Sequence, residues 1–245
     1  DRGLVPPQLR LAGIGVVAIV LLVLGFRLRE RATGYALTLQ GAGVAVLYLT
    51  LFAALRLYGL MPAPLVFVLM VAVCALSGVL AVVQDARALA VLGAAGGFVA
   101  PILASTGQGD HVALFTYYAV LNLGILGIAL KKDWQLLNRV GFVCTFGVAT
   151  AWGVLRYQPE LYDTTQPFLL LFFALFVAVA VLYALRRARH ADPVWARARV
   201  DTALVFGTPL VGMGLQAALV RGFEYGLAWS ALGAPGQLSG KRWLC

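Results

Sequence analysis

Apolar residues occur along this chain in long continuous runs that short polar or charged segments separate. Residues 11–26 and 168–185, for example, contain no charged side chain. A helix needs about 20 consecutive apolar residues to cross the hydrocarbon core of a membrane, whereas the strands of a membrane barrel alternate apolar and polar residues. The continuous runs therefore predict an all-α chain of membrane-spanning helices.

Eight such runs fit into the 245 residues, so we predict a single polytopic transmembrane helical domain, 1–245, built as a bundle of about eight spans. The predicted spans are 9–26, 35–57, 64–84, 88–104, 112–130, 136–155, 167–185 and 200–220. A weaker apolar stretch at 222–238 is a candidate for a partial ninth span. The tail 233–245 is rich in glycine and polar residues, which predicts a loop.

The composition supports a membrane protein. Hydrophobic residues make up 62% of the chain, charged residues 12%, and the mean hydropathy is +0.90. A soluble domain is about 45–50% apolar and about 25% charged. A soluble domain of this size has too little interior to bury so much apolar surface, which excludes an ordinary soluble enzyme and a disordered chain.

The basic residues are distributed unevenly between the loops. Twelve Lys and Arg residues follow the first, third, fifth and seventh spans, and four lie in the other loops and the N-terminal flank. Because Lys and Arg accumulate on the cytoplasmic side, we predict that the N-terminus is outside. The basic stretch from Arg186 to Arg199 is also expected to attract anionic lipid headgroups. The net charge of +9 thus reflects topology, and we expect no nucleic-acid partner.

The sequence contains no recognisable catalytic or metal-binding pattern. No acidic or basic side chain lies in the middle of a predicted span, and no phosphate-binding loop, nucleophile elbow or zinc-protease motif occurs. The three cysteines and two histidines lack the spacing of metal ligands. We therefore expect no catalytic residue, cofactor or metal, and an enzyme ranks third among the functional interpretations.

A few polar and small residues inside the spans are the best candidates for a substrate site. They are Gln40 in the second span, Asn122 in the fifth, and Gly93, Gly97 and Pro101 in the fourth. One interpretation is helix packing, since small residues four apart and polar side chains both join membrane helices. The other is a polar cavity beside a glycine-rich helix that is broken near the proline. The second interpretation predicts that these five residues bind substrate.

Two stretches resemble a known family. One runs from Leu39-Gln40-Gly41-Ala42-Gly43 to Tyr58-Gly59-Leu60, and the other, more specific, is Gly96-Gly97-Phe98-Val99-Ala100-Pro101 followed by Ser105-Thr106-Gly107. Over roughly residues 3–230 the chain resembles the bacterial predicted membrane proteins of the domain-of-unknown-function 2339 family. The resemblance implies that the protein lies in the bacterial inner membrane. It also implies that the chain is a truncated member of the family or an internal segment of a longer protein. Missing spans or other subunits would then be partners beside membrane lipids. It implies no mechanism.

Two functions follow as hypotheses. The first is a transport, flippase or export component for an envelope-related substrate, because a glycine- and proline-containing span lies among spans that carry polar residues. The alternative is a non-catalytic scaffold or assembly module of a larger envelope complex, because intramembrane charges and catalytic motifs are absent from the sequence.

Overall fold

The computed structural model describes residues 6–104, 111–189 and 202–221, and their regular structure is entirely helical. This confirms the predicted all-α class, with eight α-helices in these ranges. The helices are α1 (Pro7–Leu28), α2 (Thr33–Phe52), α3 (Ala63–Gln84), α4 (Arg87–Ala104), α5 (His111–Ala129), α6 (Gln135–Arg156), α7 (Tyr162–Arg189) and α8 (Thr202–Leu219). The predicted stretch 222–238, the tail 233–245 and most of the basic stretch after Arg186 lie outside the described residues.

Each predicted span coincides with one helix, and the differences lie at the ends. Helix α2 continues into a π-helical turn, Ala53–Leu57, and α7 begins five residues before its apolar run. Prolines stand in the first turns of α1 and α3, where the missing N–H would have no helical partner. Asp85 ends α3 in the left-handed conformation, with a φ of 52°.

Five of the described helical segments are long and apolar enough to cross a membrane, judged by length and composition. They are α1, Thr33–Leu57, α3, α5 and Pro159–Arg186, and the last includes the short 3-10 helix Pro159–Leu161 before α7. Arg87–Ile102 and Leu204–Leu219 are shorter apolar helices. A membrane crossing by all eight helices, and an N-terminus outside, remain predictions.

The chain divides into two compact units, which we describe separately. The first unit comprises 1–110 and 123–141, and the second comprises 111–122 and 142–245. In the first unit α1 packs along α2, α3 packs along α4, and α2 also contacts both α3 and α4. In the second unit α7 packs along α8. The description of 1–245 as one domain stays a prediction.

Small residues allow the helices of the first unit to approach closely. A Cβ atom added at Gly25 of α1 would lie 2.7 Å from the carbonyl oxygen of Ala36 on α2. A Cβ at Gly43 of α2 would lie 2.9 Å from the carbonyl oxygen of Ala18 on α1. Backbones that pack this closely gain dispersion energy, which holds membrane helices together without a hydrophobic driving force.

A hydrogen-bonded ion pair joins two connecting segments of the first unit. Lys132 Nζ, after α5, donates to Asp85 Oδ1, after α3, over 2.8 Å. This hydrogen bond and the positive charge of Lys132 lower the pKa of the Asp85 carboxyl. The contact places both segments at one end of the unit, as expected if alternate loops share a side of the membrane.

Candidate functional site

The five residues that the sequence predicts as a substrate site are divided between the two units. Gln40, Gly93, Gly97 and Pro101 belong to the first unit, and Asn122 belongs to the second. All five are buried. Their assignment to substrate binding stays a prediction. The contacts of Gln40, Gly93 and Asn122 with neighbouring side chains are described next.

Gln40 forms a reciprocal amide pair with Gln84. Gln40 Nε2 donates to Gln84 Oε1 over 2.9 Å, and Gln84 Nε2 donates to Gln40 Oε1 over 2.8 Å. Gln84 Nε2 also donates to the carbonyl of Leu80. The two hydrogen bonds connect α2 to the end of α3, so helix packing accounts for the polar atoms of the Gln40 side chain.

The glycines of α4 form a packing surface for α2 and α3. The Tyr48 hydroxyl of α2 donates to the carbonyl of Gly93 over 3.0 Å. A Cβ at Gly93 would collide with the side chain of Ser77 on α3, and a Cβ at Gly96 would lie 2.7 Å from Cε2 of Tyr48. Glycine is therefore required at both positions for the observed packing.

Helix α4 continues through Pro101 as far as Ala104. The sequence allowed a helix broken near this proline, and the structure shows no break between Arg87 and Ala104. Residues 105–107, which complete the family-like motif, lie outside the described residues.

Asn122 is the predicted residue with an unsatisfied polar atom. Its Nδ2 donates to Thr145 Oγ1 over 2.8 Å and to the carbonyl of Tyr118 over 2.9 Å. Its Oδ1 accepts no hydrogen bond from the described part of the chain. Only 3% of the residue is exposed, so this acceptor is buried without a partner, which costs free energy.

The second unit contains an open cavity of about 570 Å³, which we call the lateral groove. Its floor includes the buried rings of Phe115, Phe146 and Phe172. Its rim includes Val154 and Leu210, which are 81% and 76% exposed. The lining side chains from α5, α6, α7, α8 and their ends are Phe115, Phe146, Ala149, Thr150, Trp152, Val154, Tyr157, Thr165, Phe168, Leu169, Phe172, Leu210, Val211, Leu215, Ala218, Leu219 and Arg221, with Gly153 and Gly214 between them.

The polar groups of the lateral groove are few. The Thr165 hydroxyl is buried and has no hydrogen-bond partner among the described residues. The Tyr157 hydroxyl donates to the carbonyl of Leu219 over 2.9 Å. Burial raises the pKa of Tyr157 to about 12, so this phenol remains a donor at neutral pH. Arg221 is exposed and forms no ion pair with any described residue.

An aromatic cluster holds one wall of the lateral groove. Trp152 stacks on His111, with ring centroids 5.1 Å apart, and meets Phe115 edge to face at 5.2 Å. His111 Nε2 lies 2.8 Å from Thr164 Oγ1, which itself donates to the carbonyl of Leu161. The cluster therefore ties the first turn of α5 to the end of α6 and the start of α7.

Comparison with protein-family models matches residues 1–239 to the family described as Predicted membrane protein (DUF2339). The chain belongs to this family. The match confirms the resemblance seen in the sequence, and with it a membrane protein with transmembrane helices. No curated protein and no solved structure gives a significant match.

The sequence of this DUF2339 member did not indicate the lateral groove. The apolar run of the seventh span begins at 167, which assigned Thr165 to a polar loop. In the structure α7 begins at Tyr162 and carries Thr165 into the helix. The other lining residues are mostly apolar and come from four helices, so no local pattern marks them. A polar residue just before an apolar run is the one signal that the sequence offered.

The described residues of this DUF2339 member contain no group of three His, Cys, Asp or Glu side chains that is close enough to hold a metal ion. Within the second unit, the lateral groove offers apolar contact along its floor, and the Thr165 hydroxyl and the Arg221 guanidinium are the polar groups that a ligand could reach.

Proposed function

We propose that this DUF2339 member is a transport, flippase or export component for an envelope-related, lipid-like substrate in the bacterial inner membrane. The observation that carries the proposal is the lateral groove. Its volume of about 570 Å³ falls within the range of about 300–1,000 Å³ that small-molecule sites occupy. Its exposed rim residues, Val154 and Leu210, would face the lipid of the membrane.

The apolar lining suits exchange with the membrane. Lipid tails are as apolar as leucine side chains, so a chain that leaves the bilayer for the groove gains or loses little hydrophobic free energy. A small free-energy difference favours repeated entry and exit over permanent storage. Polar contacts at Thr165 and Arg221 would then decide which lipid enters.

Within this proposal the sequence-predicted residues have different roles. Asn122 belongs to the same unit as the lateral groove and carries an unsatisfied buried acceptor, so we keep it as a substrate-contact candidate. We propose a packing role for Gln40 and Gly93. The Gln40 amide is hydrogen-bonded to Gln84 of α3, and the space beside Gly93 is filled by Ser77 of α3.

Lipid movement in vesicles tests the proposal. The full chain is reconstituted with fluorescent phosphatidylglycerol, and dithionite reports how much label reaches the outer leaflet. The test variant is Gly153→Trp, which fills the groove, and the control is Gly147→Trp on the same helix. Both glycines have open space at the Cβ position, and of the two only Gly153 lines the groove.

We expect the wild type and Gly147→Trp to make nearly all of the label accessible, and Gly153→Trp to slow this movement severalfold. Wild-type vesicles that behave like protein-free vesicles would refute transport of this lipid. Equal rates for the two tryptophan variants would refute a role for the groove.

The scaffold alternative rests on a different observation. Helix α1 buries only Ala18, Leu22 and Gly25 and exposes large apolar side chains such as Ile14 and Val17. These side chains would contact either lipid or another membrane subunit. Cross-linking in native membranes that recovers a stable protein partner, together with a purified chain that moves no lipid, would favour the scaffold.

A further inference from the structure

We propose that the lateral groove holds the apolar chain of a phosphate-bearing anionic lipid and that Arg221 binds its headgroup. The inference rests on the proposed function for the importance of the groove and deepens it by naming the ligand class. It concerns binding alone, so it can be tested without measuring movement.

The length of the groove matches one leaflet. Its lining extends along α6 from Phe146 to the following Tyr157, and along α8 from Leu210 to the following Arg221. Each stretch rises about 16 Å at about 1.5 Å per residue. Half of a hydrocarbon core of about 30 Å is about 15 Å. The groove therefore extends from the middle of the membrane to one surface, which the basic-residue distribution predicts to be the outer one.

The charged end of the groove lies at that surface. Arg221 follows the end of α8, and its guanidinium is exposed without an ion pair among the described residues. The hydroxyl of Tyr157, on the same part of the lining, is already used by the carbonyl of Leu219. Arginine binds phosphate oxygens with two parallel N–H donors, and basic residues near the surface attract anionic headgroups.

A second polar group lies below the charged end. Thr165 is in the first turn of α7, lines the groove, and is 7% exposed with its Oγ1 unpartnered among the described residues. A buried hydroxyl without a partner is unfavourable, and a hydroxyl both donates and accepts. The ester oxygen at the junction of a lipid's headgroup and chain is the group that fits this position.

Two other occupants are conceivable, namely a second copy of the chain and residues 222–238, which follow Arg221 directly. The lipid is favoured because the groove combines an apolar floor with a hydroxyl and a cationic end that have no partner among residues 6–104, 111–189 and 202–221. These parts follow one another in the order in which a phospholipid presents its chain, its ester and its phosphate. The other occupants are outcomes of the test.

Photo-cross-linking identifies the occupant. The photoreactive residue p-benzoylphenylalanine replaces Gly214, which lines the groove, in the full chain in native membranes; the control position is Gly147. Both positions have open space for a side chain. We expect a phospholipid adduct at position 214. The share of anionic lipid in that adduct should be severalfold higher than in the adduct at position 147. A peptide adduct at 214, from residues 222–238 or a second copy, would overturn the proposal, as would identical lipid adducts at both positions.

Native mass spectrometry of the purified full chain tests the headgroup. The probes are phosphatidylglycerol, phosphatidylcholine with the same chains, and inorganic phosphate. We expect the wild type to retain phosphatidylglycerol about fivefold more than phosphatidylcholine, the effect of one charge near the surface. We expect Arg221→Gln to lose this preference and Arg221→Lys to keep part of it. Equal retention of the two lipids by the wild type, or a preference that Arg221→Gln leaves intact, would overturn the proposal.

Inorganic phosphate separates the two parts of the ligand. Phosphate that displaces phosphatidylglycerol at equal concentration would place recognition in the phosphate alone and overturn the role of the groove. Lipid binding without lipid movement would refute transport and leave this inference standing. Lipid movement without selective lipid binding would refute this inference and leave the transport proposal standing.

Discussion

The packing of α4 against α3 depends on the absence of a side chain at Gly93. In the variant Gly93→Ala the added Cβ would lie 2.7 Å from Cβ of Ser77 and would overlap its hydroxyl. Carbon atoms in contact are about 3.5–4.0 Å apart, so the two helices must separate locally by roughly 1 Å. The carbonyl of Gly93 also accepts the hydrogen bond from Tyr48 of α2, so a shift of α4 disturbs a second contact.

The expected cost follows from two opposing effects. Overpacking of a close-packed interior typically costs about 1–3 kcal/mol, while Gly to Ala within a helix gains up to about 1 kcal/mol. The matched control is Gly124→Ala on α5, where a Cβ meets nothing within 4 Å. We therefore expect Gly93→Ala to be less stable than Gly124→Ala by about 1–3 kcal/mol.

The assay is the free energy of unfolding of the full chain in mixed detergent micelles, followed by circular dichroism. A double-mutant cycle with Ser77→Gly isolates the steric term, because the nearest atom of residue 77 is then its Cα, 4.0 Å away. We expect the double variant to be more stable than the sum of the single changes predicts, by about 1–3 kcal/mol.

Equal unfolding free energies for Gly93→Ala and Gly124→Ala, or a coupling energy near zero, would refute the packing argument. If Gly93→Ala were fully stable and nevertheless abolished lipid binding or movement, Gly93 would belong to a substrate site, as the glycine-rich pattern in the sequence first suggested.

Two further predictions concern hydrogen bonds between elements. Gln40→Met should destabilise the chain by about 1 kcal/mol. The double variant with Gln84→Met should lose less stability than the sum of the two single changes, because no amide is then left unpaired. Additive losses, measured by unfolding in micelles, would contradict the amide pair. Tyr157→Phe should cost about 1 kcal/mol at neutral pH. Because the pKa of Tyr157 is raised from 10.0 to about 12, this contribution is complete below pH 10 and lost as the pH rises through about 12. Equal stability of wild type and variant at neutral pH in thermal unfolding would contradict the hydrogen bond. A difference that does not change with pH would contradict the raised pKa of the buried phenol.

The positions of the helices were predictable because their causes are local. A continuous apolar run, a proline in the first turn and a basic cluster after the last turn each act within one segment, and all eight predicted spans coincide with helices. The ends were less accurate where polar residues continue a helix beyond its apolar run. Helix α7 shows this, since Thr165 precedes the run and is nevertheless helical.

The partners of individual side chains were not predictable. Gln40 and Asn122 stood out as polar residues within apolar runs, but no local pattern pairs Gln40 with Gln84, 44 positions away. The glycine pattern at 93 and 97 suited both close packing and a substrate site. Only the position of Ser77 on the neighbouring helix shows how little space a side chain at 93 would have.

The sequence by itself determined that this DUF2339 member is a helical membrane protein. Its high apolar content requires a membrane as the solvent, and the length of its apolar runs requires helices. The tertiary structure decided which faces of those helices meet one another and where a groove stays open. The reason is that lipid and protein interior are equally apolar. Ile14 and Leu22 of α1 look alike in the sequence, yet one is exposed and the other is buried, and only the fit between neighbouring helices distinguishes them.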